Sequence, residues 1–178
     1  MSTKVEIMYT NLAACNRLLL EKKNYTPTEA RSKIAKYCAY QERCHQEVRD
    51  KLYSFGLYKD DVEQLIYELI QNNFINEERF AIAYTRGKFN YKKWGRNRIR
   101  QELKLRKISD FCIKKGMQTI DDEVYEETLL ALLEKKIASL KSLKGYQKNY
   151  KAAQFVIGKG YESDIVWSII KSKISENI

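Results

Sequence analysis

Apolar residues recur at helical spacing along most of the chain. Val48, Leu52 and Phe55 stand at positions i, i+4 and i+7, and Ile99 and Leu103 stand four residues apart. This spacing places each set on one face of an amphipathic helix, so the pattern predicts that these residues are buried. One proline and seven scattered glycines leave few breaks between such segments. The pattern therefore predicts an all-α fold.

Turn and capping signals divide residues 26–73 into three predicted helices. Thr26 and Glu29 flank Pro27 as a capping box, which predicts a helix from there to about residue 41. A second helix is predicted over about residues 44–55, where Gly56 stops it. A third is predicted to be capped by Asp60 and to end at Asn72-Asn73.

The middle of the chain predicts a capped helix, a link and a strongly basic helix. The first of these, NEERFAIAYTRGKF over residues 76–89, places Phe80, Tyr84 and, less strictly, Ala81 and Ala83 toward a core. Residues 90–95, NYKKWG, are predicted to form a short basic and aromatic link between the two helices. The segment RNRIRQELKLRK over residues 96–107 then predicts a basic helix, which Ile99 and Leu103 hold against the core.

The apolar pattern repeats along the chain. A shift of 51 positions takes Val48 to Ile99, Leu52 to Leu103, Leu57 to Ile108, Val62 to Ile113 and Leu69 to Ile120. A looser third copy begins at Asp121, with Tyr161 standing 53 residues after Ile108. Each copy has the length of three helices, which predicts tandem repeats over residues 26–75, 76–120 and 121–178. Residues 1–25 are predicted to be an arm or a short helix, and chance similarity among amphipathic helices is the alternative explanation of the repeat.

Positive charge is concentrated in the second copy. Thirteen lysines or arginines and two acids lie between Arg79 and Lys115, a net charge of +11 in a chain whose total is +10. A field of this kind attracts a polyanion or an acidic partner. The alternative is a solvated helix face, although such faces usually alternate in sign.

The sequence lacks the motifs of an enzyme. It has no phosphate-cradling glycine spacing, and no nucleophile stands beside a plausible base. Cys38, Cys44 and His45 do not have a common zinc spacing, so we expect free thiols, no metal and no cofactor. No apolar run has the ~18–20 residues of a membrane span, and the N-terminus is unlike a signal peptide. We therefore expect a non-enzymatic protein of the cytoplasm that does not enter membranes.

The candidate binding site lies on and around the basic helix. Four cations of that helix form a stripe, which spans an arc of roughly 80° at 100° per residue. The stripe consists of Arg96, Arg100, Lys104 and Lys107. Tyr91 and Trp94 lie just upstream, although Trp94 is equally compatible with a core position. Interleaved cations and aromatic rings suit either nucleic acid or a protein interface. The predicted partner-binding residues are Arg86, Lys88, Lys92, Lys93, Arg96, Arg98, Arg100, Lys104, Arg106 and Lys107.

These residues resemble the RecX family, bacterial regulators of the recombinase RecA. The family pattern runs through residues 74–77 (FINE), 79–81 (RFA), 98–100 (RIR) and 102–103 (EL), with Tyr84, Arg86 and Gly95 between them. The similarity covers about residues 28–172. The chain departs from the pattern where Asn76-Glu77 replaces two aspartates, and where Asn73 and Lys107 stand at positions that often hold glycine. These departures do not change the inference that the basic helix binds a partner.

The resemblance implies an elongated, curved array of three tandem three-helix repeats. It also implies that the protein lies in the groove of RecA–DNA filaments and restrains strand exchange, ATP hydrolysis and co-protease activity. From the triple repeat we expect a monomer. Direct contact with DNA would be weak and independent of sequence. A stand-alone DNA-binding protein built from helix-turn-helix-like units is the alternative, because three short helices can form such a unit.

Overall fold

A computed structural model of the protein describes residues 24–143 and 145–175, with side chains as far as residue 172. Within this part of the chain every regular element is an α-helix, which confirms the all-α prediction. The helices are α1 Pro27–Tyr40, α2 His45–Ser54, α3 Lys59–Gln71, α4 Glu77–Lys92, α5 Arg96–Leu105, α6 Asp110–Met117, α7 Asp122–Ser139, α8 Gly145–Gly158 and α9 Ser163–Ser175. The arm or short helix predicted for residues 1–25 lies outside the described residues, apart from its last two.

The described helices fall into two compact units, and the boundary along the chain lies between Ile75 and Asn76. The first unit contains α1 to α3 and the second contains α4 to α9. Cys38, Cys44 and Cys112 are buried and form no disulfide, as predicted for these cysteines. Burial raises the pKa of the Cys38 thiol to about 11, so this group is protonated at neutral pH.

The predicted repeat is present in the structure. Helix α5 begins and ends 51 residues after α2. After each copy of this helix the chain turns through a residue of positive φ, namely Gly56 at 84°, Lys107 at 58° and Gly160 at 96°. The next residue, Leu57, Ile108 or Tyr161, then enters the core. Tandem three-helix repeats are therefore confirmed, and Lys107 adopts a backbone conformation that glycine tolerates better.

The capping box predicted at the start of α1 is also confirmed. The Thr26 N–H donates to Glu29 Oε2 over 2.9 Å, and the Glu29 N–H donates to Thr26 Oγ1 over 3.4 Å. Two of the helix's otherwise unpaired N–H groups are satisfied in this way. Behind this start, Ala30 and Ile34 are fully buried against the core residues of α2 and α3.

The predicted cap of α3 is wrong. The helix begins at Lys59, its N-cap is Tyr58, and Asp60 lies in the first turn, where its charge still suits the helix dipole. The cap position follows directly after buried Leu57, because the turn that buries Leu57 decides where the helix begins. In the second repeat the same position holds Ser109, whose side chain accepts from the Cys112 N–H.

Half of the link predicted at residues 90–95 is helical. Helix α4 continues through Lys92, and only residues 93–95 connect it to α5, with Lys93 at a φ of 53°. The buried residues of α4 are Phe80, Ala81, Thr85 and Phe89, so the prediction that Ala83 faces the core is wrong. Ala83 lies on the opposite side of the helix from this buried face.

Small residues allow α4 and α6 to approach closely. A Cβ atom on Gly116 of α6 would lie 2.8 Å from Thr85 Oγ1 and 2.9 Å from the Ala81 carbonyl oxygen. Both distances are shorter than real Cβ contacts, so glycine is required here. The close packing explains why Thr85 is buried in a position that the apolar pattern did not predict.

Candidate partner-binding site

The basic helix α5 is fixed by two fully buried side chains, Ile99 and Leu103. Both positions were predicted from their spacing. Burial of one face leaves Arg100, Lys104 and Leu105 exposed on the remainder of the helix.

The start of α5 is joined to the third repeat by backbone hydrogen bonds, and this contact between the second and third repeats is called the joint below. The Gly95 N–H donates to the Lys159 carbonyl over 2.9 Å, and the Asn97 N–H donates to the Gly160 carbonyl over 3.0 Å. A Cβ atom on Gly95 would lie 2.2 Å from the Gly160 carbonyl carbon, so only glycine allows this approach. Free N–H groups at a helix start can bind phosphate, but here protein carbonyls already occupy two of them.

Arg96 lies in the same joint and is not a free charge on the surface. Its N–H donates to the Tyr125 hydroxyl over 3.1 Å, and its guanidinium carbon lies 4.1 Å from the centre of the Tyr125 ring. The guanidinium also donates to the Asp122 carboxylate and, over 3.4 Å, to the Ile120 carbonyl. The predicted stripe therefore loses its first member to contacts inside the protein, and a role for Arg96 in binding a partner stays a prediction.

Tyr125 is the centre of this joint. Its ring centroid lies 5.8 Å from that of Phe89 and 5.0 Å from that of Tyr161, and its hydroxyl donates to Glu162 Oε2 over 2.5 Å. Burial, and then the hydrogen bond to Glu162, raise the pKa of Tyr125 well above its usual value. The residue therefore stays protonated and connects the second and third repeats.

Two of the predicted cations lie over the partly exposed ring of Trp94. The Arg98 guanidinium carbon is 4.1 Å and the Lys88 Nζ is 5.1 Å from the centroid of that ring. Lys88 also lies 4.9 Å from the Tyr84 ring centroid. Trp94 is thus neither a buried core residue nor a freely exposed ring, because two cations cover it.

Arg106 is held at the end of α5 by an acid of its own helix. Its Nη1 donates to Glu102 Oε2 over 2.7 Å, and its guanidinium carbon lies 4.9 Å from the Tyr84 ring centroid. The hydrogen bond from Arg106 lowers the pKa of Glu102. The charge of Arg106 is therefore largely compensated within the protein.

The remaining predicted cations are exposed and weakly held. Arg100 Nη1 donates to the Asn97 side chain over 3.2 Å, and Lys104 Nζ lies 3.4 Å from Asp110 in an exposed ion pair that contributes little. Lys93 Nζ lies 6.0 Å from the Phe89 ring centroid. The exposed set consists of Arg86, Lys92, Lys93, Arg100, Lys104 and Lys107.

Two exposed apolar side chains near these cations were missed from the sequence. Leu105 is 76% exposed and Phe111 is 63% exposed, with Lys115 Nζ 5.6 Å from the Phe111 ring centroid. The repeat offset of 51 residues would have identified both, because it aligns them with the exposed polar residues Ser54 and Asp60. Apolar side chains at positions that the fold leaves in water favour a protein partner.

The described residues hold no group of three His, Cys, Asp or Glu side chains that could bind a metal ion. No helix in the described part of the chain is long and apolar enough to span a membrane.

Comparison with known families finds two matching models. The model described as RecX, second three-helix domain, matches residues 76–117, and the model described as RecX, third three-helix domain, matches residues 123–170. The first match contains all ten predicted binding residues.

Curated relatives carry the same family name. A Regulatory protein RecX from Clostridium botulinum (strain Eklund 17B / Type B) is 30% identical over 135 residues, which are 75% of this chain and 63% of the relative. One from Bacillus cereus (strain B4264) is 28% identical over 130 residues, which are 73% of this chain and 48% of the relative. The chain thus matches between about half and two thirds of the length of these relatives.

Solved structures are similar as well. The crystal structure of RecX from Lactobacillus salivarius aligns with a TM-score of 0.72 at 27% identity, over 82% of this chain and 95% of that one. A crystal structure of regulatory protein RecX aligns with a TM-score of 0.74 at 25% identity, over 82% of this chain and 71% of that one.

Proposed function

Since the chain belongs to the RecX family, we propose that it is a cytoplasmic regulator of RecA. It binds RecA and RecA–DNA filaments and mainly inhibits their recombinase, ATPase and co-protease activities in DNA repair. It acts as a monomer, by binding and without catalysis or a cofactor. The relatives of this chain are named as regulatory proteins, which supports a regulatory function.

The observation that carries the proposal is the exposed positive charge of the second repeat. Arg100, Lys104 and Lys107 lie at the surface of a helix whose other face is buried. A RecA–DNA filament presents phosphates and acidic side chains, to which such a surface is complementary. Exposed Leu105 and Phe111 add the apolar contacts that a protein surface offers and a DNA backbone does not.

The start of α5 argues against the alternative of a helix-turn-helix DNA reader that uses this helix. A recognition helix contacts base edges with its N-terminal residues. Here those residues, Gly95 to Asn97, are paired with the backbone and side chains of the third repeat. The exposed cations lie further along the helix, which favours contact with a charged surface over insertion of the helix start into a groove.

RecA ATPase activity on single-stranded DNA tests the proposal. We expect this protein to inhibit ATP hydrolysis at amounts below one copy per RecA monomer, because a filament regulator acts on many subunits at once. Unchanged ATPase activity at equimolar protein, together with footprinting that protects one defined duplex sequence, would support the stand-alone DNA-binding protein instead.

A further inference from the structure

The third repeat contains a large cavity between α8 and α9. Its volume is about 750 Å³, in the range of small-molecule sites. The described residues that line it are Gly145, Tyr146, Asn149, Trp167, Ile170 and Lys171. The joint with the second repeat involves none of them, and the proposed RecA-binding residues lie elsewhere.

Two aromatic rings, those of Tyr146 and Trp167, line this cavity, and the Tyr150 ring packs against both. The rings of Tyr146 and Trp167 are close to parallel, with 12° between their planes and 6.5 Å between their centroids. Tyr150 lies 6.1 Å from Tyr146 and 6.4 Å from Trp167. Tyr146 is 73% exposed, so its side chain is accessible from solvent. A planar ligand can extend such a group by stacking on it.

The shared fold of the repeats does not require these rings. Helix α8 begins four residues earlier than the offset of 53 from Arg96 predicts, and Tyr146 lies on this additional turn. The same offset aligns Tyr150 with Asn97 and Trp167 with Lys114, which are polar. The aromatic group is therefore particular to the third repeat, and its core is formed by other residues such as Ala152, Val156 and Val166.

The surroundings of the cavity favour an anionic ligand. The two helices that line it, α8 and α9, contain four lysines and one acid. Lys171 lines the cavity itself, and the Asn149 side chain brings one amide donor group and one acceptor. Stacking rings, an amide and nearby cations are the features with which proteins hold single-stranded nucleic acid.

We propose that this cavity binds an unstacked base of single-stranded DNA. The base stacks on Tyr146 and Trp167, the Asn149 amide contacts the edge of the base, and the lysines compensate the flanking phosphates. The contact is sequence-tolerant, because every base has a ring face to stack. It goes beyond the proposed regulation of RecA, since it needs no RecA and lies in a different repeat.

Trp167 provides a direct probe of the cavity. The chain has two tryptophans, so Trp94→Phe leaves Trp167 as the only fluorophore of its kind. We expect a single-stranded oligothymidylate to quench the Trp167 fluorescence of this variant in a saturable titration. An oligonucleotide of the same length with abasic residues keeps the phosphates and lacks the bases, so it should quench far less. Binding itself is followed in parallel by the anisotropy of a labelled oligonucleotide, and it should weaken as salt rises.

Two variants separate the cavity from the rest of the surface. Tyr146→Ala with Tyr150→Ala should weaken oligothymidylate binding about tenfold, because Tyr146 stacks on the base and one stacking ring contributes on that order. Phe155→Ala is the matched control, since Phe155 is an exposed ring of the same helix that lies between Lys136 and Lys159 and outside the cavity. It should leave the affinity unchanged, and circular dichroism should show that both variants keep their helices.

Three results would overturn the proposal. They are the absence of any oligothymidylate binding, equal quenching by the abasic oligonucleotide, and wild-type affinity in the folded tyrosine double variant. Quenching of Trp167 by RecA protein without DNA would instead assign the cavity to a protein side chain. All these titrations except the last omit RecA, so a negative result leaves the regulation of RecA unaffected.

Discussion

The hydroxyl of Tyr125 donates a hydrogen bond of 2.5 Å to Glu162, which is 37 residues away in the sequence. The same hydroxyl accepts from the Arg96 N–H, so one side chain connects α5, α7 and the start of α9. The second and third repeats thus depend on a buried tyrosine for their polar contacts as well as for their packing.

Removal of this hydroxyl should destabilise the protein. Tyr125→Phe keeps the ring contacts but leaves the Glu162 carboxylate and the Arg96 N–H without this partner. We expect a loss of about 1–3 kcal/mol in the free energy of unfolding, measured by denaturant titration. Tyr91→Phe changes an 86% exposed tyrosine in the same way and should shift the stability by less than ~0.5 kcal/mol. Equal stability of the two variants would show that the hydroxyl of Tyr125 contributes nothing.

The raised pKa of Tyr125 also predicts a loss of stability at high pH. The folded protein holds this proton to higher pH than the unfolded chain, whose tyrosines ionise near pH ~10. Above that pH the unfolded state therefore binds fewer protons, and stability falls as pH rises. Tyr161, whose pKa burial also raises, adds to the effect. Denaturant titrations on both sides of pH ~10 should show a steeper decline for the wild type than for Tyr125→Phe. Parallel declines would contradict this assignment.

Two glycines offer a matched test of the joint between the repeats. Gly95→Ala would place a methyl group 2.2 Å from the Gly160 backbone and should cost at least ~1–3 kcal/mol. A Cβ on Gly87, inside α4, would meet nothing within 4 Å, so Gly87→Ala should stabilise the helix by about 0.5–1 kcal/mol. Thermal or denaturant unfolding measures both. A Gly95→Ala variant as stable as the wild type would mean that the repeats do not approach each other this closely.

The repeat made much of this fold predictable from sequence. Leu52 and Leu103 are equivalent positions because each repeat makes the same turn after the same helix. The buried positions therefore recur at a constant offset along the sequence. The same turn explains why the cap predicted at Asp60 is wrong. We read the local capping signal, whereas the burial of Leu57 decides where the helix starts.

The candidate site was less predictable, because a cation in the sequence does not reveal its partner in the fold. Arg96 and Arg100 stand one helical turn apart on the same face of α5, yet Arg96 contacts Asp122 and Tyr125, whereas Arg100 donates to its neighbour Asn97. Those acidic and aromatic partners come from a helix 26 or more residues away. Spacing along one helix contains no information about them.

Lys107 is strained by its position in the repeat. It adopts a φ of 58° where the other two repeats use Gly56 and Gly160. Lys107→Gly should therefore stabilise the protein by about 1 kcal/mol, since a side chain in this region costs that much. Lys104→Gly, inside helix α5 just before this turn, should instead cost about 1 kcal/mol. Denaturant titration should show these opposite signs, and a loss of stability in both variants would contradict the strain at Lys107.

The central claim is that exposed cations of the second repeat bind the RecA–DNA filament, and a charge reversal tests it most directly. Arg100→Glu with Lys104→Glu should keep the fold, because exposed charges contribute little to stability. Lys33→Glu with Lys36→Glu, on exposed positions of α1, changes the net charge equally and is the matched control. Wild-type binding should weaken as salt rises.

The deciding measurement is the protein concentration that half-inhibits the ATPase activity of RecA on single-stranded DNA. The account predicts that the second-repeat reversal raises this concentration at least about tenfold, the equivalent of ~1.4 kcal/mol of binding free energy, while the first-repeat control stays close to the wild type. A folded second-repeat variant that inhibits at the wild-type concentration would contradict the account.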